Sequence, residues 1–141
     1  MTTAPRHLKY MGRALELAAR GLGRASPNPA VGAVVVAGEQ IVGEGFHAAA
    51  GEAHAEVVAL AEAEGRAVGA ELYVTLEPCS TYGRTPPCTD AIISAGISRV
   101  IYACEDCDAR NAGRADEVLS AAGIEVVCGP LEQEARELNE A

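Results

Sequence analysis

The chain has 141 residues, of which 49% are apolar and 22% are charged. This composition is typical of a globular domain and excludes a disordered, collagen-like or coiled-coil protein. Twenty acidic residues against 11 basic ones leave a formal net charge of −9. The chain as a whole therefore lacks the basic footprint of a general nucleic-acid binder. The length predicts a single domain over residues 1–141.

The apolar segments are too short for a membrane protein. The longest strongly apolar run is Val31–Ala37, far below the length needed to cross a bilayer. The first ten residues contain no apolar signal segment. We therefore expect a cytoplasmic protein with no membrane partner.

The first half of the chain predicts a helix, a hairpin and a second helix. Apolar residues at helical spacing predict an amphipathic helix over Arg6–Leu22. The β-branched run Val31–Ala37, a Gly38-Glu39 turn and the segment Ile41–Gly45 predict a hairpin whose first strand is buried. The segment Ala53–Glu64, rich in Ala, Glu, Val and Leu, predicts the second helix.

In the second half, predicted strands alternate with predicted helices. The strands are Leu72–Leu76, Arg99–Ala103 and Ile124–Val127, and the helices are Cys88–Ala95, Ala115–Ala122 and Leu131–Asn139. Strands separated by crossover helices run parallel. The fold class is therefore α/β: a three-layer α-β-α sandwich around a five-stranded mixed sheet, with an initial antiparallel hairpin and parallel later strands.

Five cysteines and three histidines remain to be placed. An odd number of cysteines without a signal segment argues against a disulfide framework, so clustered Cys and His are better interpreted as metal ligands. His54 and Glu56 start the second helix, Cys79 follows the third strand, and Cys88 starts the third helix. One imidazole and two thiolates can hold Zn²⁺ with one position open for water. Glu56 need not be a ligand, so it can lie beside the bound water and transfer its protons.

These motifs resemble those of a known enzyme family. The pairing of His54-Ala55-Glu56 with Pro78-Cys79 and a second cysteine resembles the zinc-dependent cytidine-deaminase superfamily. In its usual signature two residues separate the cysteines, whereas here eight do. That spacing, within TLEPCSTYGRTPPC, resembles the deaminase domain of bacterial riboflavin biosynthesis. Further matching stretches are SPNPAVGAVVV, GEGFH, HAEVVAL and AGISRVIYA, so the resemblance covers nearly the whole chain and implies a cytidine-deaminase-like fold.

The resemblance implies a role for each matched residue. It makes Zn²⁺ the cofactor, one ion per chain, with Glu56 as the proton shuttle. It places the backbone N–H of Ala55 at the ring carbonyl or the developing charge, and Arg84 at a substrate phosphate. The implied metal ligands are His54, Cys79 and Cys88, and the implied substrate contacts are Asn28, His47, Ala55, Thr81, Arg84, Asp106 and Asp108.

The implied reaction is hydrolysis of an amino-substituted pyrimidine, with release of ammonia. In the riboflavin branch the substrate is a 2,5-diamino-6-ribosylamino-pyrimidinone 5′-phosphate. Family members commonly form homodimers or homotetramers. The bifunctional enzymes continue into a reductase domain, for which this chain has no room.

Two departures from the family pattern keep a different substrate open. Thr81 stands where the riboflavin branch usually has His, and Asp108 stands where it usually has Asn. A carboxylate at position 108 would be unfavourable beside a phosphate. The alternative is a free-standing deaminase of another nucleoside, base or modified pyrimidine in a specialised pathway.

Other interpretations of the cysteines and of the fold stay open. Cys104 and Cys107 form a C-x-x-C that could join Cys79 and Cys88 in a four-cysteine metal site, whereas the simpler hypothesis has Cys104 ending a buried strand and Cys107 in a loop. Cys128 is predicted to pack under the last helix. A structural zinc module without catalytic activity is another alternative, but such a site would have no need of the Glu56 carboxylate. A deaminase that edits RNA or single-stranded DNA fits poorly with the charge of −9.

Overall fold

The structure is a computed structural model, and it describes residues 5–21, 30–47, 53–79, 87–105 and 113–140. Ten helices and strands follow one another in these ranges. They are α1 (Pro5–Arg20), β1 (Gly32–Ala37), β2 (Gln40–Phe46), α2 (Ala55–Ala63), β3 (Glu71–Leu76), α3 (Cys88–Ala95), β4 (Arg99–Cys104), α4 (Arg114–Ala121), β5 (Glu125–Cys128) and α5 (Glu132–Glu140). A short 3-10 helix, Glu64–Ala67, follows α2.

The five strands form one mixed sheet in the order β2-β1-β3-β4-β5. β1 pairs antiparallel with both β2 and β3, and β3, β4 and β5 run parallel. This confirms the predicted hairpin and the predicted parallel strands. No helix in the described ranges is long and apolar enough to span a membrane.

Alternate residues of the strands point to opposite faces of the sheet and build two cores. On one face Val35, Leu72 and Val100 pack with buried residues of α2, α3 and α4. On the other face Val34 and Tyr73 pack with α1 and with Ala135 of α5. The three-layer α-β-α arrangement is therefore confirmed.

The predicted boundaries shift by one or two residues at several elements, and one prediction about packing is wrong. The second helix begins at Ala55, and His54 before it is extended. β5 lies one residue later than predicted and ends at Cys128. The Cys128 side chain is exposed, so it does not pack under α5. The reason is that β5 is a short strand at the edge of the sheet, where few side chains are covered.

Glycines of the hairpin let both helical layers approach the sheet closely. A Cβ on Gly32 would lie against the backbone of α1 at Ala14, and one on Gly45 would lie 2.6 Å from the Ala55 carbonyl oxygen and 2.7 Å from Val58 Cβ. Backbone atoms, and a Cβ attached directly to the backbone, cannot rotate away from such a contact. The absence of a side chain at Gly45 therefore allows the first turn of α2 to pack directly against β2.

Gly45→Ala is expected to lower the free energy of unfolding by about 1–3 kcal/mol, because the added methyl group overpacks the α2 contact. Gly12→Ala is the matched control, since a Cβ at this helical position meets nothing within 4 Å. That variant should be more stable than wild type by about 0.5–1 kcal/mol. Urea unfolding of both variants measures the difference, and equal effects would contradict the close-packing explanation.

An ion pair joins α1 to the edge strand β2. Arg13 Nε lies 2.6 Å from Glu44 Oε2, and Arg13 Nη2 donates to Glu44 Oε1 at 3.1 Å. The hydrogen bond from Arg13 is the main cause that lowers the pKa of Glu44 below its ordinary value. The bidentate geometry orients α1 on the hairpin.

Glu44→Gln should cost about 0.5–1 kcal/mol of unfolding free energy at neutral pH. Because the folded-state pKa of Glu44 is lowered, its contribution is complete above the unfolded-state pKa of about 4.3. The contribution is lost as the pH falls through the lower folded-state pKa. Stability curves of the variant and the wild type should therefore approach each other as the pH falls below about 4.3 and meet once it is below the folded-state pKa. A constant difference across the whole pH range would show that the charge is not the cause.

Candidate metal centre and active site

Three elements bring the predicted metal ligands together. His54 immediately precedes α2, Cys79 lies beyond the end of β3, and Cys88 is the first residue of α3. His54 Nδ1 lies 3.1 Å from Cys88 Sγ and 3.8 Å from Cys79 Sγ. The three donor atoms all lie within 4.8 Å of one another. Residues separated by 34 positions in the sequence thus meet at one point.

The geometry of these donors fits a tetrahedral zinc ion. Zinc–sulfur and zinc–nitrogen bonds of ordinary length place a nitrogen and a sulfur ligand about 3.6 Å apart and two sulfur ligands about 3.8 Å apart. The two distances from His54 Nδ1 lie on either side of the first value. The backbone N–H of Cys88 also donates to Cys79 Sγ at 3.1 Å, which stabilises a thiolate there. Three protein ligands leave one coordination position open.

The local hydrogen bonds shift the pKa values of the two cysteine thiols in opposite directions. Interaction with the Cys88 thiol, and then with His54, lowers the pKa of Cys79 to about 4. The same interaction with Cys79, together with burial, raises the pKa of Cys88. The hydrogen bond with Cys79 also raises the pKa of His54. Zinc takes thiolates and neutral imidazole as ligands, so binding displaces the protons that this cluster retains.

Glu56 lies in the first turn of α2, two residues after His54, and only 4% of it is exposed. Burial raises its pKa from 4.5 to about 7. A carboxyl group with a pKa near the working pH can accept a proton and return it within one reaction. The position and environment of Glu56 therefore match those of a general acid and base.

His47 and Ala55 lie beside the metal-ligand cluster. The His47 ring is buried, and its Nδ1 lies 3.2 Å from the Ala53 carbonyl oxygen. This ring meets the His54 ring edge to face at a centroid distance of 5.4 Å. Ala55 is the first residue of α2, and the N–H groups of a first helical turn have no acceptor within their own helix. Both positions are compatible with the predicted substrate contacts.

Several predicted residues fall outside the ranges that the structure describes. They are the implied substrate contacts Asn28, Thr81, Arg84, Asp106 and Asp108, together with Cys107 of the C-x-x-C motif. Their roles stay predictions.

Cys104 is described, and it does not join the metal-ligand cluster found among the described residues. It ends the buried strand β4, and its thiol donates to the Thr75 carbonyl oxygen at 3.5 Å. This agrees with the part of the simpler hypothesis that concerns Cys104, and the part that concerns Cys107 stays a prediction.

Sequence reasoning missed one charged residue next to the site. Glu77 is 3% exposed, and its carboxylate accepts the backbone N–H groups of Gly113 and Ala115, each at 3.1 Å. No local pattern could reveal this, because the groups it binds lie 36 and 38 residues later. The only signal was an acidic residue directly after an apolar strand.

Comparison with known proteins agrees with the fold and the ligand set. The family described as the cytidine and deoxycytidylate deaminase zinc-binding region matches residues 4–104, well over half of the chain. The chain therefore belongs to this family of zinc-binding deaminases. The resemblance that the motifs indicated is confirmed.

Comparison with individual proteins shows which zinc-binding deaminases this chain is similar to. The riboflavin biosynthesis protein RibD of Aquifex aeolicus is 57% identical over 131 residues, which are 93% of this chain and 37% of that protein. The structure of a Thermotoga maritima diaminohydroxyphosphoribosylaminopyrimidine deaminase/5-amino-6-(5-phosphoribosylamino)uracil reductase superposes with a TM-score of 0.90 at 47% identity, over 96% of this chain and 39% of that one. The chain thus spans little more than a third of the length of these two relatives.

A third relative is closer to this chain in length. The Aspergillus oryzae Rib2 deaminase, a C-terminal deletion mutant in complex with DARIPP, has a TM-score of 0.79 at 26% identity. The match covers 94% of this chain and 89% of that one.

Proposed function

We propose that this chain is a zinc-dependent hydrolytic deaminase of riboflavin biosynthesis. Its substrate is the 2,5-diamino-6-ribosylamino-pyrimidinone 5′-phosphate, from which it releases ammonia. The observation that carries the proposal is the convergence of His54, Cys79 and Cys88 beside the buried Glu56, in a chain 57% identical to a riboflavin biosynthesis protein.

Each residue of the site has a task in this reaction. His54, Cys79 and Cys88 would hold the zinc ion. When bound, zinc supplies the Lewis acidity that makes water a nucleophile near neutral pH. The water oxygen forms a bond to the amino-bearing ring carbon, and the bond from that carbon to the amino nitrogen breaks. Glu56 accepts a proton from the water and delivers a proton to the departing amino group, which leaves as ammonia.

Two further groups would orient the pyrimidine. The backbone N–H of Ala55 belongs to the first turn of a helix, where the helix dipole favours developing negative charge. His47, whose ring meets that of His54, would contact the substrate beside the metal. Of the residues outside the described ranges, Arg84 would bind the phosphate through a bidentate contact, and Asn28, Thr81, Asp106 and Asp108 would complete the substrate contacts.

A deaminase of another nucleoside, base or modified pyrimidine is the second candidate. The substitutions at Thr81 and Asp108 favour it, because they change the motifs of the riboflavin branch and Asp108 adds a negative charge. This candidate shares the zinc site and Glu56, and it differs from the first in its need for a phosphate.

Ammonia release from a panel of aminopyrimidines separates the two candidates. The panel compares the ribosylamino-pyrimidinone 5′-phosphate with its dephosphorylated form, and adds cytidine, deoxycytidine and free bases. The first candidate requires a clear preference for the phosphate ester. A preference for an unphosphorylated nucleoside or base would reject it in favour of the second.

The remaining expectations concern assembly and location. We propose a homodimer or homotetramer, in line with the exposed apolar side chains Val57, Val58 and Ile93 on α2 and α3. Sedimentation velocity at micromolar concentration tests this, and a monomer would contradict it. We also propose a cytoplasmic location and a small-molecule substrate rather than nucleic acid. That residues 1–141 form a single deaminase domain stays a prediction.

A further inference from the structure

The buried carboxylate of Glu77 ties the turn that carries a metal ligand to a distant helix. Glu77 is the first residue after β3, and Cys79 is two residues further along. The two carboxylate oxygens accept the backbone N–H groups of Gly113 and Ala115 at 3.1 Å. Gly113 is the N-cap residue of α4 and has no side chain to cap the helix itself. Glu77 therefore takes the place of the missing cap.

The two hydrogen bonds to the Glu77 carboxylate are stronger than hydrogen bonds between neutral groups. A carboxylate that accepts N–H groups at a helix N-terminus gains both charge-assisted hydrogen bonds and a favourable interaction with the helix dipole. Glu77 is almost fully buried, so water cannot replace either bond. The two bonds therefore tie the carboxylate to the start of α4.

The turn Glu77–Cys79 is held at each end by further contacts. The backbone N–H of Glu77 donates to the Cys104 carbonyl oxygen at 2.9 Å, which extends the pairing of β3 with β4. Pro78 restricts its own φ to a narrow range. The carbonyl oxygen of Cys79 accepts the N–H of Thr89 at 3.2 Å. Between the anchored carboxylate and Cys79 Sγ, the chain has little freedom to move.

We propose that Glu77 is a positioning residue for the metal centre. By fixing the turn against α4, it holds Cys79 Sγ at the distance from His54 and Cys88 that a tetrahedral ion requires. Glu77 is not one of the three residues that the structure brings together as metal ligands, and it acts through the turn that carries Cys79. The proposal needs the zinc site and is independent of which pyrimidine the protein deaminates.

A neutral amide should not replace this carboxylate. Glutamine keeps the shape of the side chain but has one acceptor oxygen, so its NH₂ group would face one of the two helix N–H donors. The turn would then shift or loosen, and Cys79 Sγ would move with it. Loss of a group that orients a metal ligand typically weakens metal binding by about 10–100-fold.

The test compares Glu77→Gln with Glu71→Gln. Glu71 lies at the opposite end of the same strand, where its carboxylate contacts Arg6 and Arg99. Its replacement therefore removes an equally structural acid far from the metal ligands. Zinc affinity is measured on the full chain by competition with a chromophoric chelator. Ligand geometry is measured from the absorption bands of the Co²⁺-substituted protein, which depend on thiolate coordination.

We expect Glu77→Gln to weaken zinc binding at least about tenfold and to shift or weaken the thiolate-to-cobalt bands. Glu71→Gln should leave both unchanged even where it lowers the melting temperature. Glu77→Asp, which keeps the charge but is one methylene shorter, should give an intermediate affinity and serves as the second variant if the glutamine variant does not fold. Wild-type affinity and spectra in a folded Glu77 variant, or equal losses in Glu71→Gln, would overturn the proposal.

Discussion

Replacing Glu56 by glutamine is expected to reduce kcat for ammonia release by about 10²–10⁴-fold, while zinc stays bound. Glutamine fills the same buried space beside the metal ligands, but it cannot accept a proton from water. Because the carboxyl group is buried and burial raises its pKa to about 7, the neutral amide should not lower the stability of the fold. Steady-state kinetics and metal analysis of the same preparation measure the two effects.

The matched control for this experiment is Glu62→Gln. Glu62 lies on the same helix as Glu56 and is exposed, so the same chemical replacement is made outside the site. Its Oε1 atom accepts the backbone N–H of Glu44 at 3.2 Å, and glutamine retains an oxygen that can do the same. The control should keep wild-type kcat. Full activity in Glu56→Gln would refute the assignment of Glu56 as the proton shuttle and would leave the zinc site without its acid and base.

The second large effect is expected from removal of a single thiol. Cys88→Ala should reduce zinc affinity by more than about 100-fold, since it removes a ligand rather than an outer partner of a ligand. Cys104→Ala is the matched control, because Cys104 is also a buried thiol but lies outside the metal-ligand cluster. It should bind about one zinc per chain, as the wild type does.

Thermal unfolding with and without added zinc gives a second measurement of the same difference. At a free zinc concentration about 100 times the Kd, binding stabilises the folded state by about 2.7 kcal/mol. The wild type and Cys104→Ala should show this gain, and Cys88→Ala should not. Loss of zinc from Cys104→Ala would instead support the four-cysteine site formed with Cys79, Cys88 and Cys107.

The order and direction of the strands could be anticipated to different degrees. The hairpin and the crossover helices are local consequences of the sequence, so the antiparallel start and the parallel strands β3, β4 and β5 were predictable. The position of β1 between β2 and β3 was not, because it depends on pairing between residues far apart in the chain, such as Ala33 with Val74. Such pairing is decided by the shared apolar faces of the sheet, which a linear pattern does not encode.

The exposure of Cys128 shows the same limit on a smaller scale. The apolar, β-branched character of the last strand correctly indicated a β-strand, but that strand lies at the edge of the sheet. Burial there depends on what covers the edge. An inference from hydrophobicity alone therefore placed the thiol under α5, and the structure leaves it exposed.

At the site, roles that depend on neighbouring residues could be predicted from the sequence, whereas roles that depend on distant residues could not. His54 and Glu56 are two residues apart at the start of one helix, and their spacing in the sequence already implied their different tasks. Glu77 had no such local partner, because the N–H groups that it binds belong to the start of α4. Its contribution exists only when the end of β3 and the start of α4 are brought together.

The composition, the alternation of strands and helices, and the spacing of His54, Glu56, Cys79 and Cys88 were enough to determine the α/β class and the kind of metal that this protein binds. Each of these depends on backbone periodicity or on the chemistry of a side chain, which are local properties. The tertiary structure alone decided the strand order, the close seating of α2 on Gly45 and the anchoring of the Cys79 turn by Glu77. These depend on distances between segments that are far apart in the chain, and packing and burial determine such distances.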